Sequence, residues 1–439
     1  MTTAALHVFD ERSHIGELTY DTDQDRFFFV YSDAWRANPA RYPLSPHMPL
    51  EGEIRPNAVR RFLQNLLPEG RALDVASTFS SISKNNIFAL IRRLGQETVG
   101  ALSFQASDTP PERQPARERE VTHEELAERI KDRMSVPFTI WDGKVRMSIA
   151  GYQDKLLVLA RDDRLFLVEG ALASTHILKP ESMNPTMPHL VANEHFCMTL
   201  AARLAMPVAP VRILRLPEPV LLVERFDRIV DAHAVHRRHV IDACQALDLP
   251  VDAKYERMWG DGRDVAHMRD GASFEKLFTL RQYLENKAQG QLLLLRWALL
   301  QIILGNSDAH GKNISFFIDR VGLAVAPFYD LVSAVQYDES QVNHQFAMGF
   351  GDAFSMAELG GFQFADFAQL TRMDRRLIRR EARRLSRAVE TAAPLLAKEG
   401  RYIDAEREMV EKIAGYAVKQ AAQLVEIADS AIRVGDDML

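Results

Sequence analysis

The periodicities along this chain predict an α+β protein that is strand-rich first and helix-rich afterwards. Three observations carry the expectation. Residues 156–168 and 211–224 alternate as hairpins, the second with Pro217 and Pro219 at its turn. From Phe226 onward helical spacing predominates. Between them and the N-terminus, the stretch ASDTPPERQPARERE at 106–120 combines proline with dense charge and no apolar period, which reads as a linker. Strand-like Arg26–Tyr31 and a helix-like run at 58–67 then make the first part a small α+β subdomain. The boundaries expected are 1–105 for that subdomain, 106–133 for linker and connecting helix, 134–225 for a strand-rich domain and 226–439 for a helical one. A chain of 439 residues has room for two or three domains at roughly 100–200 residues each. No internal repeat of solenoid period is visible.

Composition excludes several classes of function. A hydrophobic content of 47% supports substantial cores, and a formal net charge of −6 argues against a general nucleic-acid coat, though not against local basic patches. Residues 1–18 contain charges and no apolar core of signal-peptide length, and the apolar run at 292–304 is interrupted by Arg296. A cytoplasmic protein without a membrane partner is expected. The two cysteines, Cys197 and Cys244, lack C-x-x-C spacing and read as buried free thiols.

The most informative stretch is 291–330: a long apolar helix, the loop GNSDAHGKN, a short strand pair and the run FYD. It sets Asp308, Asn313 and Asp330 in the order that phosphoryl transfer from magnesium-bound nucleotide requires. One carboxylate accepts or orients a hydroxyl proton, while an amide and a second carboxylate hold magnesium on the phosphates. Asn313 follows Asp308 by five positions, the aspartate-to-asparagine spacing of H-R-D-x-x-x-x-N. Strands are expected at 314–319 and 323–328, with Asp330 just after the second. Alternatively, Asp308 and Asn313 are turn residues at a helix exit, with Gly305 and Gly311 beside them.

A nucleotide site also needs a lysine for the phosphates and a helix-borne acid to hold it. Lys179, ending a strand-like run, and Glu194, near the start of a helix, are the candidates; a surface lysine and a first-turn glutamate answering the helix dipole is the other reading. The segment MSIAGYQDK at 147–155 precedes a hairpin, and its small Ser148, Ala150 and Gly151 let backbone amides approach a phosphate. It lacks the second glycine of a Walker loop, and a plain connecting turn reads equally well.

Taken together, FALIRRLGQETVGAL, SIAGYQDK, STHILKP, LLVERFDR, CQALDLP, KYE, GNSDAHGKN and PFYDLVSA run in this order through nearly the whole chain. In this the sequence resembles the HipA kinases of bacterial toxin–antitoxin modules. The resemblance implies a two-lobed, protein-kinase-like fold, with a mixed N-lobe, an extra N-terminal subdomain and a helical C-lobe. It implies a serine/threonine protein kinase using ATP and Mg2+, inhibited by a small helix-turn-helix antitoxin on operator DNA. An aminoacyl-tRNA synthetase is the protein substrate it implies, so that loss of charged transfer RNA stops translation. By the same resemblance Asp308 is catalytic, Asn313 and Asp330 hold magnesium, and Lys179 touches the phosphates. Glu224 and Phe226 contact adenine through backbone, His310 and Tyr329 lie close to the nucleotide, and Ser148 is the autophosphorylated residue. A phosphate there adds roughly −1.5 to −2 charges to a loop that folds over ATP, which expels it and switches the kinase off. Two positions depart from the family pattern: Tyr152 is bulky where a small residue is usual, and at 239–242 only Asp242 keeps the familiar acidic character.

Two other constellations stand out. His233, His236 and His239 recur every third residue, but in a polar stretch without partner ligands, which reads as a solvated loop. Residues 372–387 carry eight arginines around Met373, Leu377, Ala382 and Leu385, spaced for an amphipathic helix with salt bridges to Asp374 and Glu381. The sharper reading of that helix is contact with the phosphates of DNA or of transfer RNA. Besides the protein kinase, two further functions fit: a kinase for small hydroxylated molecules, and a co-repressor that strengthens antitoxin binding to DNA.

Overall fold

The computed structural model describes residues 3–146, 153–231 and 234–439, which group into two compact units. The first comprises Met1–Pro180, Arg212–Val251 and Phe316–Leu323; the second comprises Glu181–Val211, Asp252–Ser315 and Ala324–Leu439.

In the first unit, β1 (Thr3–Asp10), β2 (Ser13–Asp21) and β3 (Arg26–Tyr31) form an antiparallel meander, and β4 (Leu102–Gln105) joins β1 on its other side. Burial in β3 alternates strictly, with Phe27, Phe29 and Tyr31 inside, as a half-buried strand requires. Helix α1 (Pro56–Leu66) opens on a proline, tolerated where no intrahelical N–H bond is due. It buries Val59, Phe62, Leu63 and Leu66, one face of a 3.6-residue period. Helix α2 (Ile87–Leu94) is capped by the Asn86 side chain, which accepts from the Ala89 N–H at 3.0 Å.

A second sheet is built from β5 (Arg117–Val121), β6 (Leu156–Arg161), β7 (Arg164–Glu169), β8 (His176–Pro180), β9 (Val211–Leu216) and β10 (Glu218–Glu224), in the order β9-β10-β8-β6-β7-β5. Both expected hairpins are present. Strand β5 corrects the linker expectation: residues 117–120 were read as part of a structureless segment, yet they pair with β7 at the sheet edge. Its charge alternation hid it, because only Val121 points inward. The exposed charges meet partners on the neighbouring hairpin, Glu118 with Arg161 at 2.8 Å and Glu120 with Arg164 at 3.2 Å, which suits an edge strand. Leu156, Val158, Leu165, Leu167, Leu178, Val220 and Leu222 pack with Phe138 and Trp141 to form this unit's core. A smaller sheet, β11 (Val240–Asp242), β12 (Ser315–Ile318) and β13 (Leu323–Val325), contains the strand pair expected after GNSDAHGKN, with shorter strands than anticipated.

The histidine run is not one solvated loop. His236 is exposed beside Glu11 at 3.2 Å and Asp231 at 3.1 Å, whereas His239 is buried, stacked on Tyr42 at 5.0 Å, with Nε2 3.1 Å from the Leu44 carbonyl. An odd separation along extended chain sends the two rings to opposite faces. His233 lies outside the described residues.

The second unit is mainly helical: α3 (Leu190–Arg203), α4 (Lys287–Leu304), α5 (Gly361–Thr371), α6 (Arg375–Ala397) and α7 (Asp404–Ala431). Leu294, Leu295, Trp297, Ala298, Leu299 and Leu300 of α4 are all buried, so this helix is apolar around its circumference and runs through the core. The arginine helix begins at Arg375 rather than Arg372, since Arg372 ends α5 in the left-handed region and the Asp374 carboxylate caps α6 by accepting from Leu377 N–H at 2.9 Å. Its buried stripe is Ile378, Ala382, Leu385 and Val389, displacing Leu377 from the expected face. Glu381 is buried between Arg296 and Arg384, each at 2.9 Å. Arg376, Arg380, Arg383 and Arg387 share the exposed face. Cys197 and Cys244 are buried thiols not joined in a disulfide, as expected. Among the described residues no helix is long and apolar enough to cross a membrane.

Candidate active site

Helix α4 ends at Gly305, whose φ of 64° turns the chain out of the helix. A side chain there would collide with Val335 and Tyr416, so both conformation and space require glycine. The turn that follows is closed by Asn306: its Oδ1 accepts the Asp308 N–H at 3.2 Å while its Nδ2 donates to Gln301 at 2.9 Å. The turn-forming role considered for Asp308 is thus filled by its neighbour. From Gln301 to Ile318 every residue is buried except Asp308. A carboxylate that is the one exposed group in eighteen residues of packed chain is held out by its surroundings.

Those surroundings are identifiable. Tyr255 donates its hydroxyl to Asp308 Oδ1 at 2.5 Å, and Ser307 donates to the Asn343 carbonyl at 2.6 Å. The Asn313 side-chain nitrogen donates to the Asp308 carbonyl at 2.8 Å, and the Gly311 N–H donates to the Lys254 carbonyl at 2.9 Å. Asp308 and Asn313 are therefore brought together by backbone as well as by sequence spacing. Tyr329 joins the third member: its hydroxyl donates to the Lys312 carbonyl at 2.6 Å and lies 2.7 Å from Ser315 Oγ. Phe328 donates its N–H to the Pro207 carbonyl at 2.8 Å, fixing the approach to Asp330. Asp330 itself has a φ of 56°, a left-handed conformation costly for most side chains but accessible to aspartate.

His310 is buried within the same loop, edge-on to the Tyr255 ring at 5.0 Å, and its Nδ1 accepts the Lys312 N–H at 3.2 Å. Burial, reinforced by Lys254 and Lys312 and opposed by Asp330, pushes its pKa well below the usual histidine value. The ring is neutral at pH 7, and with Nδ1 accepting, its proton sits on Nε2 as a donor.

The donor set suits magnesium. Asp330 offers a carboxylate, and with the Asn313 nitrogen engaged at the Asp308 carbonyl, that amide presents oxygen to a cation. Magnesium takes oxygen ligands, keeps several waters and commonly uses one or two protein groups plus phosphates. No group of three or more His, Cys, Asp or Glu side chains able to hold a metal occurs among the described residues.

The remaining candidates are distributed between the units. In the first, Lys179 lies on β8 opposite Leu221 and is 6% exposed. Glu224 ends β10 exposed, and Phe226 packs edge-on to Phe317 at 5.9 Å. In the second, Glu194 is buried on α3, where its charge adds to burial in raising the Cys197 thiol's pKa. Ser148, Ala150, Gly151 and Tyr152 lie outside the described residues. Sequence reasoning gave no role to Tyr255, which belongs to the KYE run. Its neighbour Glu256 is buried, paired with Arg269 at 2.5 Å and accepting the Gly349 N–H at 2.7 Å, so KYE carries the platform on which Asp308 rests. The signal was the run itself, 53 positions upstream of the residue it serves.

Comparison with known proteins identifies the family. Residues 6–105 match the model of the HipA N-terminal domain and residues 147–393 that of the HipA-like C-terminal domain. The serine/threonine-protein kinase toxin HipA of Shewanella oneidensis is 41% identical over 394 residues, covering 89% of this chain and 88% of that protein. A Sinorhizobium fredii relative is 34% identical over 432 residues, 95% of this chain and 98% of its own length. The solved complex of Shewanella oneidensis HipA with HipB and operator DNA contains a chain that superposes with a TM-score of 0.87 at 35% identity, covering 98% of this chain and all of that one.

Proposed function

This chain belongs to the HipA family of kinase toxins, and from that premise we propose that it transfers the γ-phosphoryl group of magnesium-bound ATP to a serine or threonine of a cytoplasmic protein. The observation that carries the proposal is the exposed Asp308 in an otherwise buried run, braced by Tyr255 and tied through Asn313 and Tyr329 to the segment bearing Asp330. In this reading Asp308 accepts or orients the substrate hydroxyl proton, and Asn313 and Asp330 hold magnesium, which neutralises charge on the β- and γ-phosphates when bound. Lys179 takes the phosphates, and the backbone at Glu224 and Phe226 receives the adenine. Neutral His310, with a donor at Nε2, and Tyr329 border the nucleotide. Ala150 and Gly151 give close-approach backbone over the phosphates, and a phosphate gained by Ser148 expels that loop and turns the enzyme off.

For partners, a HipB-like helix-turn-helix antitoxin on operator DNA is proposed, with an aminoacyl-tRNA synthetase as the protein substrate, so that phosphorylation halts translation and arrests growth. The exposed arginine face of α6, at positions 376, 380, 383 and 387, supports a contact with nucleic-acid phosphates in such an assembly. The test is intact-protein mass after incubation with magnesium ATP, for the native chain, Asp308→Ala and Ser148→Ala. One phosphate on the native chain and none on either variant is expected. Absence of both labelling and nucleotide binding would refute the kinase reading.

A further inference from the structure

The first unit carries a half-open cavity of about 490 Å3 lined by its own residues. Leu94, Leu157, Val168 and Leu172 give it apolar surface, and six bases face it: Arg92, Arg93, Arg117, Lys144, Arg146 and Arg237. Two acids line it with them, Glu97 and Glu169, and Asp142 reaches Arg146 from outside the lining at 3.5 Å. Glu169 is shared by Lys144 and Arg146, each at 2.7 Å, and Glu97 is already engaged by Arg225 at 3.4 Å and by Ser174 at 2.7 Å. Arg92, Arg93 and Arg117 have no acidic partner among the described residues. The buried Nε of Arg146 has no hydrogen-bond partner among the described residues.

Arg92 and Arg93 close helix α2, where cations commonly answer the helix dipole. That accounts for two of the six bases and not for the convergence of three other chain segments on one cavity. In a chain of net charge −6, a concave surface with this excess of cations is a local field of opposite sign, and concave walls focus such fields. The volume falls within the roughly 300–1,000 Å3 typical of small-molecule sites.

We propose that this cavity binds a multiply phosphorylated small molecule of nucleotide size, its phosphoryl groups held by the guanidiniums and its less polar body set against the leucine and valine surface. A singly charged anion would satisfy one or two of the bases; phosphoryl groups match the planar two-donor geometry of arginine. The inference is independent of phosphoryl transfer.

Isothermal titration of the full chain carrying Asp308→Ala, without magnesium, tests it with inorganic tripolyphosphate and orthophosphate as probes. Expected is saturable one-to-one binding of tripolyphosphate, at least tenfold tighter than orthophosphate. The double substitution Arg92→Ala/Arg93→Ala should weaken it tenfold or more, with Arg117→Gln giving a smaller loss and Lys179→Ala no change. Thermal melting of the double variant should match its parent, since both arginines are exposed. Equal affinity for the two anions, no binding, or loss of binding only in Lys179→Ala would overturn the proposal. Because the readout is anion binding to a chain that lacks Asp308, any of these results leaves the phosphotransfer test undecided and separate.

Discussion

Two buried polar regions, one in each unit, show how differently such groups are used. In the first unit the LLVERFDR run places Arg225, Asp227 and Arg228 out of solvent. Asp227 receives Arg225 and Arg228, both at 2.8 Å, and the Gly100 N–H at 2.7 Å. Burial alone would raise the Asp227 pKa, but the two guanidiniums reverse this and hold it far below the ordinary value. Burial and the neighbouring Arg225 pull Arg228 down to about 9. Charge answers charge, and no member faces outward. In the second unit the loop after α4 is held mostly by side chains bonded to backbone carbonyls, and its one exposed carboxylate stays outside the packing. A closed network of mutual charges describes a structural knot; a carboxylate braced from behind suits the reactive role proposed for it.

This contrast is sharpest at Asp308. Replacing it with alanine should reduce phosphate transfer by about 10³-fold or more, in line with loss of a positioned acid–base group, while the melting temperature stays within a degree or two. A large fall in stability would make Asp308 structural and erase the distinction. Asp227→Asn should do the reverse. Leaving two buried guanidiniums without their carboxylate should cost roughly 3–5 kcal/mol in urea unfolding, with phosphate transfer retained where the chain is folded. Because the folded pKa of Asp227 is depressed, its contribution is complete above the ordinary value of 3.8 and is lost as pH falls below it. A knot variant that unfolds no more easily than the native chain would break the comparison.

Next in size is His239, packed against the Gly100 that feeds the knot. Burial lowers its pKa from 6.5 to about 4, so the unfolded chain binds the extra proton between those values. Stability should therefore fall as pH drops from 6.5 towards 4, by up to about 3 kcal/mol from this residue. His239→Gln should flatten that dependence, and an unchanged slope would show that other groups cause it. The smallest effect expected is from Tyr255→Phe, which removes the 2.5 Å bond to Asp308. A charge-assisted hydrogen bond of this kind is worth roughly 1.5–3 kcal/mol, so a loss of about tenfold in phosphate-transfer rate is expected, read by initial-rate labelling. No loss would mean that the carboxylate needs no brace.

The parts of this molecule governed by local periodicity were legible in advance: the hairpins at 156–168 and 211–224, the apolar α4, and the order of Asp308, Asn313 and Asp330. Strand β5 was not, because a strand that sends only Val121 inward carries charge alternation instead of an apolar one. The burial of His239 was hidden by its polar neighbours, since its stacking partner Tyr42 is distant in sequence. The support that Tyr255 gives Asp308 likewise rests on tertiary contact, and no spacing rule connects positions 255 and 308. The arginines around the first unit's cavity come from four separate segments, so no linear window reveals them as one group.

The backbone at Asp330 has a bearing on how such a chain can be disarmed. With φ at 56°, the position accepts glycine, asparagine or aspartate most readily and resists β-branched residues. Under the proposed role of Asp330 in holding magnesium, asparagine or glycine there would silence phosphate transfer in an intact chain, while valine would damage conformation as well. Genetic screens for cells that escape the growth arrest proposed above should therefore separate two kinds of survivor at a single codon: those that keep a folded protein, and those that lose the protein altogether.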